Sequence, residues 1–495
     1  MFCVSLMEQT HSEIREAMES CQANGAQLVE IRLDALTEPL NSELLFSHST
    51  IPTIATYRRA CDGGLYKGDE NDRLDHLVQA CEAGATYVDI EIDCADSFAQ
   101  VPGTKRIVSH HLLDHTPDDL DEWQTRFAQT EADIHKFVTF AKRPTDAFRV
   151  LRFGKGSQTP TICLGMGPYG AFSRLLTLRQ GAPWTYVAHH PHRPAAPGQF
   201  TLKMAQDWLG GRTVNAATRV FGVVGDPIQQ SLSPHLHNGA FQALNINAIY
   251  VPFHVPSGDF KTFLESAHQY GVEGLSVTLP HKREAFLQCT SNDETAETLE
   301  VSNTLLRTPN GWHAHNTDGP AAMKSISQVV ESAHGQGYSN LEALILGSGG
   351  VARTVGTLLK QEGAKLVISS RNETSGRTLA AEFGCQWIPW EQRTNTPFSL
   401  LVNATSVGMS PHGGQSPFPQ EDLPAHAAVY DAVYWPSPTR LVNDATALGL
   451  SAVDGIPHFL DQAAAQCEFF TRGEAPVQTM TKILHQALRQ KERAH

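Results

Sequence analysis

The chain has no Cys-x-x-Cys pair, no apolar stretch approaching the ~18 residues of a membrane-spanning helix, and no basic opening followed by a short apolar run. The first absence leaves nine cysteines, an odd number, with neither a redox motif nor a disulfide framework, as expected of reduced thiols in a cytosolic protein. The second excludes a helical membrane protein. The third, together with the early acidic residues of MFCVSLMEQTHSE, speaks against a secretory or transit leader. Positive charge is also short. The 38 Lys and Arg against 52 Asp and Glu leave a formal charge of −14, which argues against a general nucleic-acid binder or a protein held on an acidic membrane. The 7 tryptophans are scattered and form no array on which bases could stack. Neither an internal repeat nor a low-complexity segment appears beyond the loop HHPHRPAAPG at 189–198. The histidines of that loop, of His235-x-His237 and of His313-x-His315 read as exposed side chains, so no metal is expected. What remains is an ordinary globular composition, 41% hydrophobic and 18% charged over 495 residues, sufficient for two to four domains.

The stretch 341–372, LEALILGSGGVARTVGTLLKQEGAKLVISSRN, carries the strongest local signal. An apolar run at 343–346 meets Gly347-Ser348-Gly349-Gly350, and apolar residues then recur at Val351, Val355, Leu358 and Leu359, the period of a helix laid on a sheet. Gly363 stops that helix, and a second apolar run at 366–368 completes a strand-turn-helix-strand unit of the dinucleotide-binding kind. Gly347 allows the tight turn, Gly349 lets backbone N–H groups approach a pyrophosphate, and Ala352 takes the small position where helix meets strand. An NAD site would place Asp or Glu at the end of the second strand. Here Ser369, Ser370 and Arg371 stand there, which suits the 2′-phosphate of NADP, with Glu373 nearby as the opposing feature.

The first ~200 residues alternate eight short β-rich runs (3–6, 28–33, 51–57, 87–92, 106–109, 134–140, 161–164 and 185–188) with helical stretches. That is the pattern of a (β/α)₈ barrel, whose active site sits at the C-terminal ends of its strands. Charged or ionisable residues fall inside or just after the runs: Glu30, Arg32, Arg58, Asp89, Glu91, His111 and Lys136, and later Arg174. Desolvating such a charge is costly unless it is paired, so a shared polar site is expected. Lys136 lies in Ile134-His135-Lys136-Phe137-Val138, where cationic and apolar neighbours would lower its pKa and make the amine nucleophilic; a lysine snorkelling from a strand end is the bland alternative. His110 and His111 are adjacent, so at most one points into a barrel. An imidazole beside an imine-forming lysine serves as general acid and base. Arg58 and Arg174 suit a substrate carboxylate, although each is equally at home in a structural ion pair.

VEIRLD (29–34), TYR…DGG (56–64), VSHHLLDHTP (108–117), DIHK (133–136), GPYGAFSR (167–174) and PGQ (197–199) together resemble type I 3-dehydroquinate dehydratase over residues 1 to about 210. The resemblance implies that Lys136 forms an imine with the ketone of 3-dehydroquinate, and that His111 removes the adjacent proton and protonates the departing hydroxyl. It also implies that Glu30, Arg32, Arg58, Arg174 and Gln199 hold the substrate's carboxylate and hydroxyls. Three positions depart from the family. Asp62 replaces a glutamate that orients the histidine, Ala195 replaces a serine, and Leu112 replaces a polar residue, so an active but slower site is expected.

The polar, glycine-bearing run GGRTVNAAT at 210–218 marks a domain join. Beyond it a strand at 220–224 leads to Ser231 and Ser233 at the start of a helix, where hydroxyls and free N–H groups suit a carboxylate; an ordinary Ser-Pro cap is the alternative. A strand at 274–279 precedes Lys282, and Lys282 with Asp318 reads as a proton-transfer pair. These segments, with GSGGVAR, SSRN, NATSVGM (403–409), YWPSPTRL (434–441) and DQAA (461–464), look like shikimate dehydrogenase over 219–495. That resemblance implies that Ser231 and Ser233 take the substrate carboxylate, that Thr278, Asn303 and Gln462 take its hydroxyls, and that Lys282 with Asp318 handles the proton. NADP would lie on Gly347, Ser348, Gly349, Gly350, Val351, Ala352, Ser370 and Arg371, with Asn403, Thr405, Ser406 and Gly455 completing its site. Ser302, Phe459 and Val351 are small departures, expected to tune affinity.

The expected protein is therefore α/β. It has a barrel at 1–211, a linker at 212–218, a substrate-binding domain at 219–319 completed by 455–495, and a Rossmann domain at 320–454. Its expected function is a two-step conversion of 3-dehydroquinate through 3-dehydroshikimate to shikimate with NADPH. Two rivals stand beside it. A quinate-using dehydrogenase joined to a weakened dehydratase is suggested by Asp62 and Ala195 and opposed by Arg371. A non-catalytic sensor built on both folds is opposed by the retention of Lys136, Lys282, Asp318 and the glycine turn. Small-molecule substrates, no nucleic acid, no membrane, a monomer or weak homo-oligomer and a cytoplasmic location complete the expectation.

Overall fold

The computed structural model describes residues 1–494 except 48, 336 and 340. The chain divides into two compact units, Met1–His281 and the chain from Lys282 onward.

In the first unit, eight parallel strands follow one another: β1 (Phe2–Leu6), β2 (Leu28–Arg32), β3 (Thr53–Thr56), β4 (Tyr87–Glu91), β5 (Lys105–Leu112), β6 (Ile134–Phe140), β7 (Thr161–Met166) and β8 (Thr185–Ala188). Their order is β7-β6-β5-β4-β3-β2-β1-β8, so β1 joins both β2 and β8 and the sheet curls round on itself. Among the described residues β7 and β8 do not pair, which leaves the expected barrel nearly closed. The helices between strands are fixed by local chemistry. Helix His11–Ala23 carries a capping box in which Thr10 and Glu13 satisfy each other's backbone N–H groups. Asp69 accepts from Asn71 and Asp72 to start Glu70–Glu82.

Strand β5 is longer than the run 106–109 read from sequence, and this matters for the site. The strand carries Ser109, His110 and His111 opposite Lys136, Phe137 and Val138, so alternation sends Ser109 and His111 to one face and His110 to the other.

The segment read as a linker is firmly held. Helix Leu202–Leu209 ends at Gly210 in the left-handed region, and Arg212 then donates to the carbonyls of Trp208, Leu209, Asn238 and Ala248. Three further parallel strands, β9 (Arg219–Gly225), β10 (Ala248–His254) and β11 (Val272–Val277), follow in the order β10-β9-β11. An aromatic cluster joins them to the barrel: Phe148, on the helix Pro144–Phe153, lies 4.8 Å from Phe172, 6.0 Å from both Phe253 and Phe263, and 5.2 Å from Tyr270. This shared core explains why the compact unit runs past the end of the barrel.

The second unit opens with the helix Lys282–Gln288, followed by a short strand β12 (Ser291–Asn292) and the antiparallel hairpin of β13 (Thr304–Thr308) and β14 (Gly311–His315). After the helix Asp318–His334 come β15 (Glu342–Leu346), β16 (Lys365–Ser370), β17 (Gln386–Pro389), β18 (Leu400–Asn403), β19 (Ala428–Asp431) and β20 (Ser451–Val453). They form one parallel sheet in the order β17-β16-β15-β18-β19-β20. Ala343 and Ile345 bury one face of β15 and Leu344 and Leu346 the other, the apolar pattern of a sheet covered by helices on both sides. The strand order reverses direction at β15, which places the doubly wound switch point at the glycine turn that follows it. Helices Gly455–Thr471 and Val477–Ala494 end the chain.

Phe148 is wholly buried, so Phe148→Ala is expected to lower the unfolding free energy of the first unit by about 3–5 kcal/mol. Denaturant titration of that variant checks this; a change under ~1 kcal/mol would show that the aromatic cluster is not a shared core.

Candidate active sites

The mouth of the barrel encloses a cavity of about 220 Å³ lined by Glu30, Arg32, Arg58, His111, Lys136, Arg174 and Gln199. The strands that the sequence singled out for their charges therefore do converge. Lys136 Nζ stands 2.9 Å from Asp89 and 3.4 Å from Glu30, and 4.1 Å above the ring of Tyr186. Arg58 donates to Glu91 at 2.7 Å, to Asp89 at 2.8 Å and to Ser109 at 3.0 Å. Arg73 pairs with Glu91 at 2.8 Å, and Arg32 makes a two-pronged contact with Asp34 at 2.9 and 2.6 Å. Ser5 and Thr56 donate to Glu30.

This network balances. Lys136, Arg32, Arg58 and Arg73 face Glu30, Asp34, Asp89 and Glu91, and all eight side chains are buried. Burial raises the pKa of Glu30 and Asp89, but Lys136 with Arg32 in the first case, and Arg58 with Lys136 in the second, outweigh it and hold both carboxyls low. Arg174 is the exception. It is buried, donates to the carbonyl of Pro197 at 3.1 Å, leaves its Nε unpartnered and meets no carboxylate among the described residues. Burial lowers its pKa to about 10. The cavity thus carries one uncompensated cation, which suits an anionic ligand.

His111 points into this cavity while His110 stacks on Trp123 at 3.9 Å outside it. Desolvation, aided by the charges of Arg58 and Lys136, pushes the pKa of His111 well below the ordinary imidazole value, so the ring is neutral. Its Nδ1 is sealed from solvent and has no hydrogen-bond partner.

Three sequence expectations fail here. Asp62 does not orient His111; its carboxylate accepts from Arg59 at 2.6 Å, because Arg59 lies one turn away in the same loop. The near neighbours of Lys136 are the carboxylates of Asp89 and Glu30, not cations. Arg58 is engaged by Asp89 and Glu91 and acts as a strut of the network, not as a free carboxylate receptor. Ser5 and Tyr186 line the cavity and were not singled out, since one serine or tyrosine in a β-rich run carries no sign of facing a site.

A second group lies further along the first unit. Ser233 begins the helix Ser233–Ala243, whose N-cap residue Leu232 offers no capping side chain; Ser231 Oγ accepts from the Ser233 N–H at 3.3 Å instead. Thr278 follows β11 and donates its N–H to Val224. In the second unit Lys282 Nζ lies 2.6 Å from Asp318 Oδ2, so the structure brings these two residues together. Burial favours the neutral form of Asp318, yet Lys282 and His458 outweigh it and hold the carboxyl low. Asn303 accepts from the N–H of Thr317 and donates to its hydroxyl, which fixes the start of the helix bearing Asp318. Gln462 is buried and donates to the carbonyl of Phe459. His458, bonded to Tyr430 at 2.6 Å, belongs with Asp318 and had no distinguishing sequence spacing.

The glycine turn has the geometry of an anion cradle. Gly347 has φ +112, and a Cβ there would lie 2.9 Å from the carbonyl of Ala404. Gly349 caps the helix Gly350–Gln361 without any side-chain bond, and added Cβ atoms at Gly349 and Gly350 would meet nothing within 4 Å. Ser348 bonds Ser375, Val351 is exposed, and Ala352 is buried under the helix. Arg371 is exposed, while Glu373 pairs with Arg377 at 2.8 Å and is drawn away from the opposing role. Two expectations are corrected. The Ser370 hydroxyl faces inward, between Trp387 Nε1 and the carbonyl of Asn372. Asn403 is wholly buried and braces the neighbouring loop by bonding Asp431, Val407 and Thr405. Thr405 and Ser406 remain near the surface, and Gly455 opens its helix where a Cβ would lie 2.5 Å from the carbonyl of Ala432.

Comparison with known proteins finds relatives for both parts of the chain. The family described as type I 3-dehydroquinase matches residues 2–215, and the shikimate dehydrogenase substrate binding domain matches residues 223–305. The chain is 33% identical over 511 residues to the bifunctional 3-dehydroquinate dehydratase/shikimate dehydrogenase, chloroplastic, of Arabidopsis thaliana, covering 98% of this chain and 84% of that protein. It is 35% identical to the shikimate dehydrogenase (NADP(+)) of Synechocystis sp., over 55% of this chain and 97% of the relative. A crystal structure of a shikimate dehydrogenase in complex with NADP+ superposes with a TM-score of 0.51 at 27% identity, covering 55% of this chain and 97% of the other.

Burial depresses His110 and His135 from 6.5 to about 4. Below about pH 6.5 the unfolded chain takes up protons at both rings that the folded chain does not, so stability is full above that pH and falls toward about pH 4. Denaturant midpoints are expected to drop on acidification from about pH 7 to about pH 5, and less steeply in His135→Gln. An equal drop in the variant contradicts the assignment.

Proposed function

The chain belongs to the bifunctional 3-dehydroquinate dehydratase/shikimate dehydrogenases, and from that membership we propose which of its residues carry each of the two steps. Residues 1–211 form the dehydratase, 212–218 the join, 219–319 with 455–495 the substrate domain of the dehydrogenase, and 320–454 its NADP domain.

In the barrel, Arg174 takes the carboxylate of 3-dehydroquinate, the one anion its surroundings lack, and Glu30, Arg32 and Gln199 face the hydroxyls. The Lys136 amine gives up its proton and adds to the ketone carbon, and loss of water leaves an imine. The imine acidifies the neighbouring C–H. Neutral His111 takes that proton and returns it to the departing hydroxyl as water, after which hydrolysis of the imine frees 3-dehydroshikimate and Lys136. Asp62 is assigned no step, being held by Arg59.

In the second reaction Ser231 and Ser233 receive the carboxylate, and Thr278, Asn303 and Gln462 the hydroxyls. Lys282 gives a proton to the oxygen of the carbonyl being reduced, Asp318 holds the ammonium in place as its acceptor, and a proton from solvent restores the ammonium afterwards. NADP suits the open turn at Gly347, Gly349 and Gly350, with Ser348, Val351 and Ala352 around it, Arg371 at its 2′-phosphate, and Thr405, Ser406 and Gly455 beyond; Ser370 and Asn403 support this site from behind. When bound as NADPH it supplies the hydride.

No helix among the described residues is long and apolar enough to cross a membrane. We place the protein in the cytoplasm as a monomer or weak homo-oligomer, a location supported by nine free cysteines.

The observation that carries the reading is Lys136 held between two carboxylates at the floor of a cavity that also contains an unpaired arginine. A coupled assay follows NADPH loss with 3-dehydroquinate. Wild type is expected to consume cofactor, Lys136→Ala to do so only when 3-dehydroshikimate is supplied, and Lys282→Ala to lose ~10²–10⁴-fold with either substrate. Wild-type turnover of 3-dehydroshikimate but not of 3-dehydroquinate would remove the dehydratase assignment.

A further inference from the structure

Glu8 and the vicinal pair His189 and His190 lie 181 residues apart in sequence and meet at the barrel rim, where Ser5 of β1 pairs with Ala188 of β8. His189 Nδ1 is 2.7 Å from Glu8 Oε1, and His190 Nε2 is 3.9 Å from the same oxygen. One donor atom from each residue lies within 4.8 Å of the others. In an extended strand adjacent side chains point to opposite faces, but the backbone bends at His189 and His190 and their ring centres stand 4.1 Å apart on one side. The second carboxylate oxygen of Glu8 is buried and has no hydrogen-bond partner. A buried carboxylate oxygen left unpaired is costly, and a cation accounts for it.

We propose that Glu8, His189 and His190 bind one divalent transition-metal ion of the zinc class. Two imidazole nitrogens and one carboxylate oxygen form a borderline donor set that favours zinc, cobalt, nickel or copper over magnesium and calcium. Donors bound to one zinc at about 2.0–2.2 Å stand roughly 3.4 Å apart, and the separations of 2.7 and 3.9 Å bracket that spacing. On binding, the proton shared by His189 and Glu8 leaves and the metal takes its place. Three protein donors keep a fourth position for water, and the site opens to solvent through His190, 56% exposed. The cavity beside it, about 360 Å³, carries Glu13 and Glu16 against Arg193 and so favours a cation.

The test uses the full, untagged chain with thiols kept reduced, titrated with Co²⁺ and then with Zn²⁺ against a chromogenic chelator. Wild type is expected to hold one equivalent with weak visible cobalt bands and no thiolate charge-transfer band, to release cobalt to zinc and to ignore excess magnesium. Glu8→Gln and His189→Ala are expected to bind at least about tenfold more weakly, with circular dichroism unchanged, while His192→Ala, in the same loop, binds as wild type. Glu8→Gln keeps the size of the side chain and guards against loss through misfolding. Wild-type binding in both ligand variants, a thiolate band, or no uptake by wild type overturns the site and leaves an ordinary histidine–carboxylate pair.

Discussion

The ion network across the barrel, with Lys136 between Asp89 and Glu30, is the constraint on which the first unit depends. Each member is buried, and a buried charge without a partner is destabilising by about 3–5 kcal/mol when its partner is removed. Strands β1 to β6 each supply a residue to it directly or through Ser5, Thr56 and Ser109, so the register of the barrel and the position of the reactive amine are fixed together. The network also explains why Arg174 is distinctive. With the other charges matched, the carboxylate of the proposed substrate would supply the missing partner and complete the balance in the cavity that also holds Lys136.

In the proposed function the two lysines play different parts, and their surroundings differ. The Lys136 side chain is 6% exposed and faces two carboxylates at the bottom of a cavity, where a covalent bond to substrate can be shielded from water. Lys282 is 31% exposed and paired with one carboxylate, Asp318, so solvent can reach the group proposed to give the proton. His111 and His458 follow the same division. His111 is neutral with a free, sealed nitrogen suited to moving a proton within the barrel, whereas His458, whose pKa burial also lowers, is tied to Tyr430 beside Asp318.

Much of this was legible in the chain because it rests on local periodicity. Alternating runs placed all eight barrel strands, and the glycine turn after 343–346 placed the Rossmann unit, since both patterns reflect burial imposed on consecutive residues. The failures share a physical cause. Ser370 was read as facing a phosphate, yet its hydroxyl is held by Trp387 of β17 and the carbonyl of Asn372, and Ser369 beside it is buried too. Asp62 was assigned to a histidine far along the chain, yet Arg59 three residues away reaches it first. The neighbours of Lys136 along the strand, His135 and Phe137, point away from it, and its real partners come from β2 and β4. His458, Tyr186 and Glu8 owe their roles wholly to distant chain, which no spacing announces.

The most direct test of the central claim, that Lys136 is the covalent centre, is reductive trapping. Wild-type protein incubated with 3-dehydroquinate and borohydride, then digested and analysed by mass spectrometry, should carry the reduced adduct on the peptide containing Lys136, and the Lys136→Ala variant should carry none. An adduct on another lysine, or equal labelling of the variant, would contradict the account and return the barrel to a ligand-binding role without this chemistry.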